Sequence, residues 1–141
     1  MPHWQPVDWS ALPSTLDAFW TERHLCTLST LDRHGAPHAV AVGAVLDPER
    51  QCAWVITGGG SQKATNLRRD PRLAVSQVDG ARWSTIIGTA EVLDDAESVA
   101  RACERYAGRY RTPRPNPERV ALRITVDRFL GSAQVLPPSA G

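Results

Sequence analysis

Six β-rich runs follow one another in this chain at hairpin spacing, and no other feature restricts the fold as much. They cover residues 25–31, 38–46, 51–57, 72–78, 82–94 and 119–126. The connections "DRHGAP", "DPER" and the "DG" of residues 79–80 are turns, not crossovers. Strands joined by so short a turn must be antiparallel, because a parallel partner needs a crossover of about a dozen residues. The last run alternates cleanly: Val120, Leu122, Ile124 and Val126 face one way, Ala121, Arg123 and Thr125 the other. "HAVAVGAVL" is apolar on both faces, so both are expected to be covered. In 82–94, Trp83, Thr85, Ile87 and Thr89 share a face, and Gly88 marks a bend or bulge.

Helices are expected at 15–23, 61–69 and 94–110. "STLD" offers the first a capping box, with Ser14 as N-cap and Asp17 three positions on, and Leu16, Phe19 and Trp20 share a face. The second starts at or near Ser61. The third places Val99, Cys103, Tyr106 and Tyr110 on one stripe. Six strands with two to three helices make the chain mainly β, a six-stranded antiparallel barrel. At 141 residues one domain is expected over 14–136, with an N-terminal extension at 1–13 and a flexible tail at 137–141. Proline and glycine gather at both ends, which are expected to be loosely held.

Several function classes recede on composition. A net charge of +1 sets up no field that calls for nucleic acid or a membrane surface. No apolar run approaches the roughly 20 residues of a membrane span. The first residues lack a basic stretch followed by an apolar one, so the cytoplasm is the expected location. Cys26, Cys52 and Cys103 form no CxxC pair and are expected to act as small buried hydrophobes. His34 and His38 are spaced HxxxH, but Gly35 and Pro37 intervene, so no metal site is expected. There is no GxSxG elbow, and hydrolysis is not suggested.

The stretch "TGGGSQKATNLRR" (57–69) carries the clearest chemistry. Gly58, Gly59 and Gly60 allow close backbone approach, and Ser61 can cap a helix whose free N–H groups favour an anion. Lys63 adds a full charge and is the only lysine; every other basic residue is arginine. The segment fails both the GxGxxG and the Walker A patterns. Two readings stay open on local grounds: an anion site, or a strand-to-helix connection with a solvated lysine. The arginine-rich segment 101–119 is likewise either a polyanion contact or a solvated face.

Taken together, "TLDRHGAPHAVAV", "WVITGGGSQKATNLRRDPRLAVSQVDGARW" and "RYAGRYRTPRPNPERVALRITVDRFLGSA" resemble the pyridoxamine 5′-phosphate oxidase-like split β-barrel family, and within it the branch that uses the deazaflavin coenzyme F420. The resemblance implies an FMN-binding split-barrel fold and a homodimer with a cofactor in each intersubunit cleft. It implies that Ser61, Gln62 and Lys63 hold the cofactor phosphate, and that His38, Val40 and Val42 with Val55 and Thr57 floor the ring. Gln77 and Trp83 would complete the cleft. Arg82, Arg109, Arg111 and Arg114 would meet the cofactor's tail or the substrate. The implied reaction is hydride transfer from reduced F420 to a small conjugated acceptor such as biliverdin or a similar tetrapyrrole. FMN is the alternative cofactor, and a non-catalytic F420 carrier the alternative role.

Overall fold

The computed structural model describes residues 3–138. In chain order the strands are β1 (His3–Pro6), β2 (Cys26–Leu31), β3 (Pro37–Val42), β4 (Ala44–Asp47), β5 (Cys52–Gly58), β6 (Arg72–Asp79), β7 (Arg82–Leu93) and β8 (Arg119–Gly131). The helices are α1 (Ser14–Thr21), α2 (Gln62–Arg69) and α3 (Ala96–Arg109). One antiparallel sheet runs β3-β2-β6-β7-β8-β5-β4, and β1 pairs with β8 beside it. Its two edge strands, β3 and β4, are separated only by Gly43. The sheet therefore curls until its edges meet at that residue, and the mainly β half-barrel expected from the hairpin spacing results.

Eight strands stand where six are expected, for two physical reasons. The apolar run 38–46 breaks at Gly43, where a Cβ would lie 2.8 Å from Tyr106 Cε2 and 3.0 Å from Tyr110 Cε2. Only bare backbone fits under those rings, so the run serves both sheet edges in turn. The second reason is the N-terminal extension, which is not loose. β1 pairs with the end of β8, Val7 N–H donates to Asp127 O, and Trp9 stands edge-on to Phe129 at 6.4 Å. At the other end Val135 and Leu136 are buried and Pro137 and Pro138 exposed, while 139–141 lie outside the described residues.

The barrel interior is filled from the strands by Leu28, Val55, Val75, Ile86, Leu122, Ile124 and Phe129, and from α1 by Leu16, Phe19 and Trp20. Full burial of each such side chain stabilises the fold by about 1.5–3 kcal/mol. The expected capping box at α1 does not form: the N-cap position falls on Pro13, which has no side-chain acceptor, Ser14 lies inside the helix, and Thr15 Oγ1 donates to Val135 O at 2.7 Å. Tertiary docking holds this helix start in place of a local cap. α3 covers the outer faces of β4, β5 and β8, where Val45, Cys52, Trp54, Ala102 and Ala121 form a second apolar cluster. Gly88 sits at the β7 bulge, where a Cβ would run into Thr125 O.

Candidate functional site

β5 delivers the chain into the glycine loop at Thr57, and α2 carries it away. Ser61 is the N-cap, its Oγ accepting from Ala64 N–H at 3.3 Å and from Thr57 Oγ1 at 3.1 Å. Gly59 N–H is held by Glu118 O at 2.8 Å, which fixes the loop against the start of β8. In helix geometry the N–H groups of Gln62 and Lys63 have no acceptor within α2, so they remain available for an anion. Lys63 is half-buried and makes no ion pair with any described residue. Burial alone pulls its pKa below the ordinary lysine value, a cost that a nearby anion would cancel.

The loop separates two cavities. One, of about 320 Å³, is lined by Thr57 and Gly58 together with Tyr106, Arg111, Arg114 and Arg119. The other, of about 560 Å³, is lined by His38, Gln62, Thr65 and Arg69 with the β2–β3 turn. His38 Nδ1 is buried there without a hydrogen-bond partner among the described residues, an uncommon state for a buried polar atom. Asn66, on the inner side of α2, accepts from Gln62 Nε2 and donates to Thr30 Oγ1, tying the helix to β2.

The remaining expected residues divide sharply. Val42 and Val55 are buried in the barrel core, and Val40 packs against it half-buried. Gln77 and Arg109 are buried together away from both cavities beside the glycine loop. Arg109 donates to Glu22 O at 2.8 Å, Ala44 O at 2.5 Å and Gln77 Oε1 at 2.8 Å, while Gln77 Nε2 reaches Phe19 O at 2.9 Å. The Arg109 guanidinium also lies over the Trp20 and Tyr110 rings. This pair joins α1, β4, β6 and α3, and its polar atoms are engaged within the fold. Arg82 is ion-paired with Glu22 at 3.1 Å and Asp79 at 2.6 Å and stacks on Phe19. Arg111 and Arg114 are exposed and have no ion-pair partner among the described residues.

Trp83 lies elsewhere, on the outward face of the sheet. That face also presents Ala39 and Ala41 of β3, Thr27 and Ser29 of β2, Ala74 and Ser76 of β6, and Thr85 and Ile87 of β7, aligned by strand register. Apart from Trp83 and Ile87 its side chains are small. Val78, the register partner of Trp83, is 69% exposed at its end.

Tyr106 was not among the expected site residues, although it lines the first cavity. The two tyrosines of "RYAGRY" recur at i and i+4 at the C-terminal end of α3, just before Arg111, and that pattern was the available signal.

Residues 12–132 match the family described as pyridoxamine 5′-phosphate oxidase. An F420H(2)-dependent biliverdin reductase of Mycobacterium tuberculosis is 53% identical over 119 residues, 84% of this chain and 87% of that protein. Among solved structures, a conserved hypothetical protein of M. tuberculosis superposes with a TM-score of 0.73 at 27% identity, covering 93% of this chain and 92% of that one. An F420 reductase superposes with a TM-score of 0.68 at 20% identity, covering 84% and 98%.

Proposed function

For this chain, which belongs to the pyridoxamine 5′-phosphate oxidase family, we propose the reduction of a conjugated tetrapyrrole, biliverdin or a close relative, by hydride from coenzyme F420. The protein is an F420-dependent oxidoreductase. The observation that carries this reading is the 53% identity to a reductase of that cofactor over most of both chains. The site supports it independently: an uncompensated, half-buried ammonium beside a capped helix start suits a phosphate ester.

In this reading the Gln62 and Lys63 N–H groups and the Ser61 hydroxyl hold the phosphate, and Lys63 Nζ keeps its proton to neutralise it. The end of β5 at Thr57 and the edge strand β3 with His38 flank the ring, where the unpartnered His38 Nδ1 gains a hydrogen bond. When bound, the reduced deazaflavin supplies a hydride in one two-electron step. The chain then needs no nucleophile; its task is to hold the acceptor carbon at a near-attack distance of about 3–3.5 Å. The small-residue outer face of β2, β3, β6 and β7 is covered by a second copy, so the working form is a homodimer.

Fluorescence titration with F420 and with FMN tests the cofactor. Tight F420 binding is expected, and binding of FMN alone would overturn the reading. Mixing reduced F420 with biliverdin and following the absorbance of both tests the reaction. Cofactor binding without turnover across tetrapyrrole acceptors would instead make the protein a carrier.

A further inference from the structure

We propose that Asn66 and Thr30 are positioning residues for the cofactor, holding the Gln62 side chain so that its carbonyl oxygen meets a hydroxyl or N–H of the bound molecule; this rests on the cofactor reading above. Neither residue lines a cavity beside the glycine loop. Asn66 lies wholly inside the fold, and Thr30 is 2% exposed. Asn66 stands one turn after Gln62 on α2, the spacing at which two helical side chains meet. Gln62 Nε2 donates to Asn66 Oδ1 at 2.7 Å, and Asn66 Nδ2 donates to Thr30 Oγ1 at 3.0 Å.

This relay has a direction. With Nε2 held on Asn66, Gln62 Oε1 has no donor among the described residues, and the residue lines the 560 Å³ cavity. Ser61 is the converse case: its Oγ already accepts from Thr57 Oγ1 and Ala64 N–H, which leaves its proton to give. The start of α2 thus sets a side-chain acceptor at Gln62 next to a side-chain donor at Ser61. A phosphate oxygen takes protons and gives none, so Gln62 Oε1 suits a neighbouring part of the ligand that carries a hydrogen. The relay also connects two contributors to the cavity. Thr30 is the register partner of His38, and directly opposed residues of an antiparallel pair share a face, so Gln62 of α2 is tied to the strand position beside His38. Docking of α2 does not depend on this tie: Ala64 and Leu67 are buried, and Arg69 donates to Leu31 O at 2.7 Å. Cutting the relay should leave the helix in place and free the Gln62 side chain, whose ordering would then weigh against binding.

The test is a double-mutant cycle on the full chain, read by F420 fluorescence titration, with thermal unfolding to show that each variant is folded. Asn66→Leu, Thr30→Val and Gln62→Met should each weaken F420 about threefold to tenfold, the scale of one hydrogen bond. Thr30→Ser keeps the hydroxyl and should restore most of the affinity. In the Gln62→Met background, Asn66→Leu and Thr30→Val should cost nothing more, whereas damage unconnected with Gln62 would add. Additive losses would overturn the proposal, as would unchanged F420 affinity in Thr30→Val, the isostere that still decides should Asn66→Leu not fold. Sulfate, which has no proton to give at neutral pH, is run as a competitor in wild type and Thr30→Val. Its competition should be the same in both, and a parallel loss would remove the assignment of Gln62 Oε1 to a hydrogen-bearing group. No sulfate competition in the wild type would count against the phosphate loop and leave the relay to the cycle. FMN is titrated alongside: if the wild type binds FMN alone, the F420 reading falls and the cycle run with FMN still decides the relay. If neither binds, both fall.

Discussion

Replacing Lys63 by alanine removes the chain's only lysine from a place where it has no ion-pair partner among the described residues. Cofactor binding should weaken by about 1.5–3 kcal/mol, the range of a charged hydrogen bond, with little effect on unfolding. The pH dependence has a definite sign. The pKa of Lys63 is lowered in the free protein by burial and should be raised when a phosphate neutralises it. Affinity is therefore complete below the free-protein pKa and declines as pH rises through the lysine's titration. A titration series on the alkaline side, flat in Lys63→Ala, checks this. Gly43→Ala tests a different kind of residue: its methyl would press into Tyr106 and Tyr110, costing about 1–3 kcal/mol of stability in thermal unfolding. The Ser61 cap and the position of Lys63 in the first turn of α2 were legible in the sequence because both are local properties. Gln77 and Arg109 were not, because burial between α1, β4 and α3 is set by elements distant in sequence. Nothing in "SQVDG" or "AGRYR" separates a buried arginine from a ligand-binding one.

Element by element, helix placement was legible and helix anchoring was not. α3 begins at Asp95, whose carboxylate accepts from Ser98 N–H at 3.0 Å. It is held down further along by Arg101, which forms two 2.8 Å hydrogen bonds to the fully buried Asp47 at the end of β4. Burial alone would raise the Asp47 pKa, but hydrogen bonds from Arg101 and from Trp54 Nε1 outweigh it and hold the value at about 2. A depressed carboxyl pKa contributes stability that is complete above the ordinary aspartate value and is lost as pH falls towards 2. Asp47→Asn should cost about 3 kcal/mol in urea unfolding near neutrality, because it removes the buried partner of Arg101 and leaves only the longer contacts to the exposed Glu49 and Glu104, at 3.5 and 3.9 Å. The same variant should lose part of the wild-type decline in stability between the ordinary aspartate pKa and 2; an unchanged acid slope would exclude the pair as its source. This anchor joins positions 54 residues apart, so no periodicity within α3 announces it.

For the whole molecule, hairpin spacing gave the antiparallel barrel, while the strand count depended on how the barrel closes and on the N-terminal segment. The outer face of β2, β3, β6 and β7 is lined mostly by alanine, serine and threonine side chains aligned by register, with Ile87 and Trp83 among them. Such a surface lets a second sheet approach closely but gives little sign of this in hydropathy. Ala41→Arg or Ser76→Arg should convert a dimer to a monomer in sedimentation, at roughly unchanged thermal stability of the single barrel. Weaker F420 binding by that monomer would place part of the cleft on the second copy. The closure at Gly43 has a topological consequence. Because one covalent run of chain belongs to both edges of the sheet, the position is an irreplaceable splice. A circular permutant opened at Ala81 would lose one tight turn and keep the ring of strands. Opened at Gly43, the same composition would lose the link that holds the two sheet edges together, and its expected fate is polymerisation through them, visible as growth in light scattering.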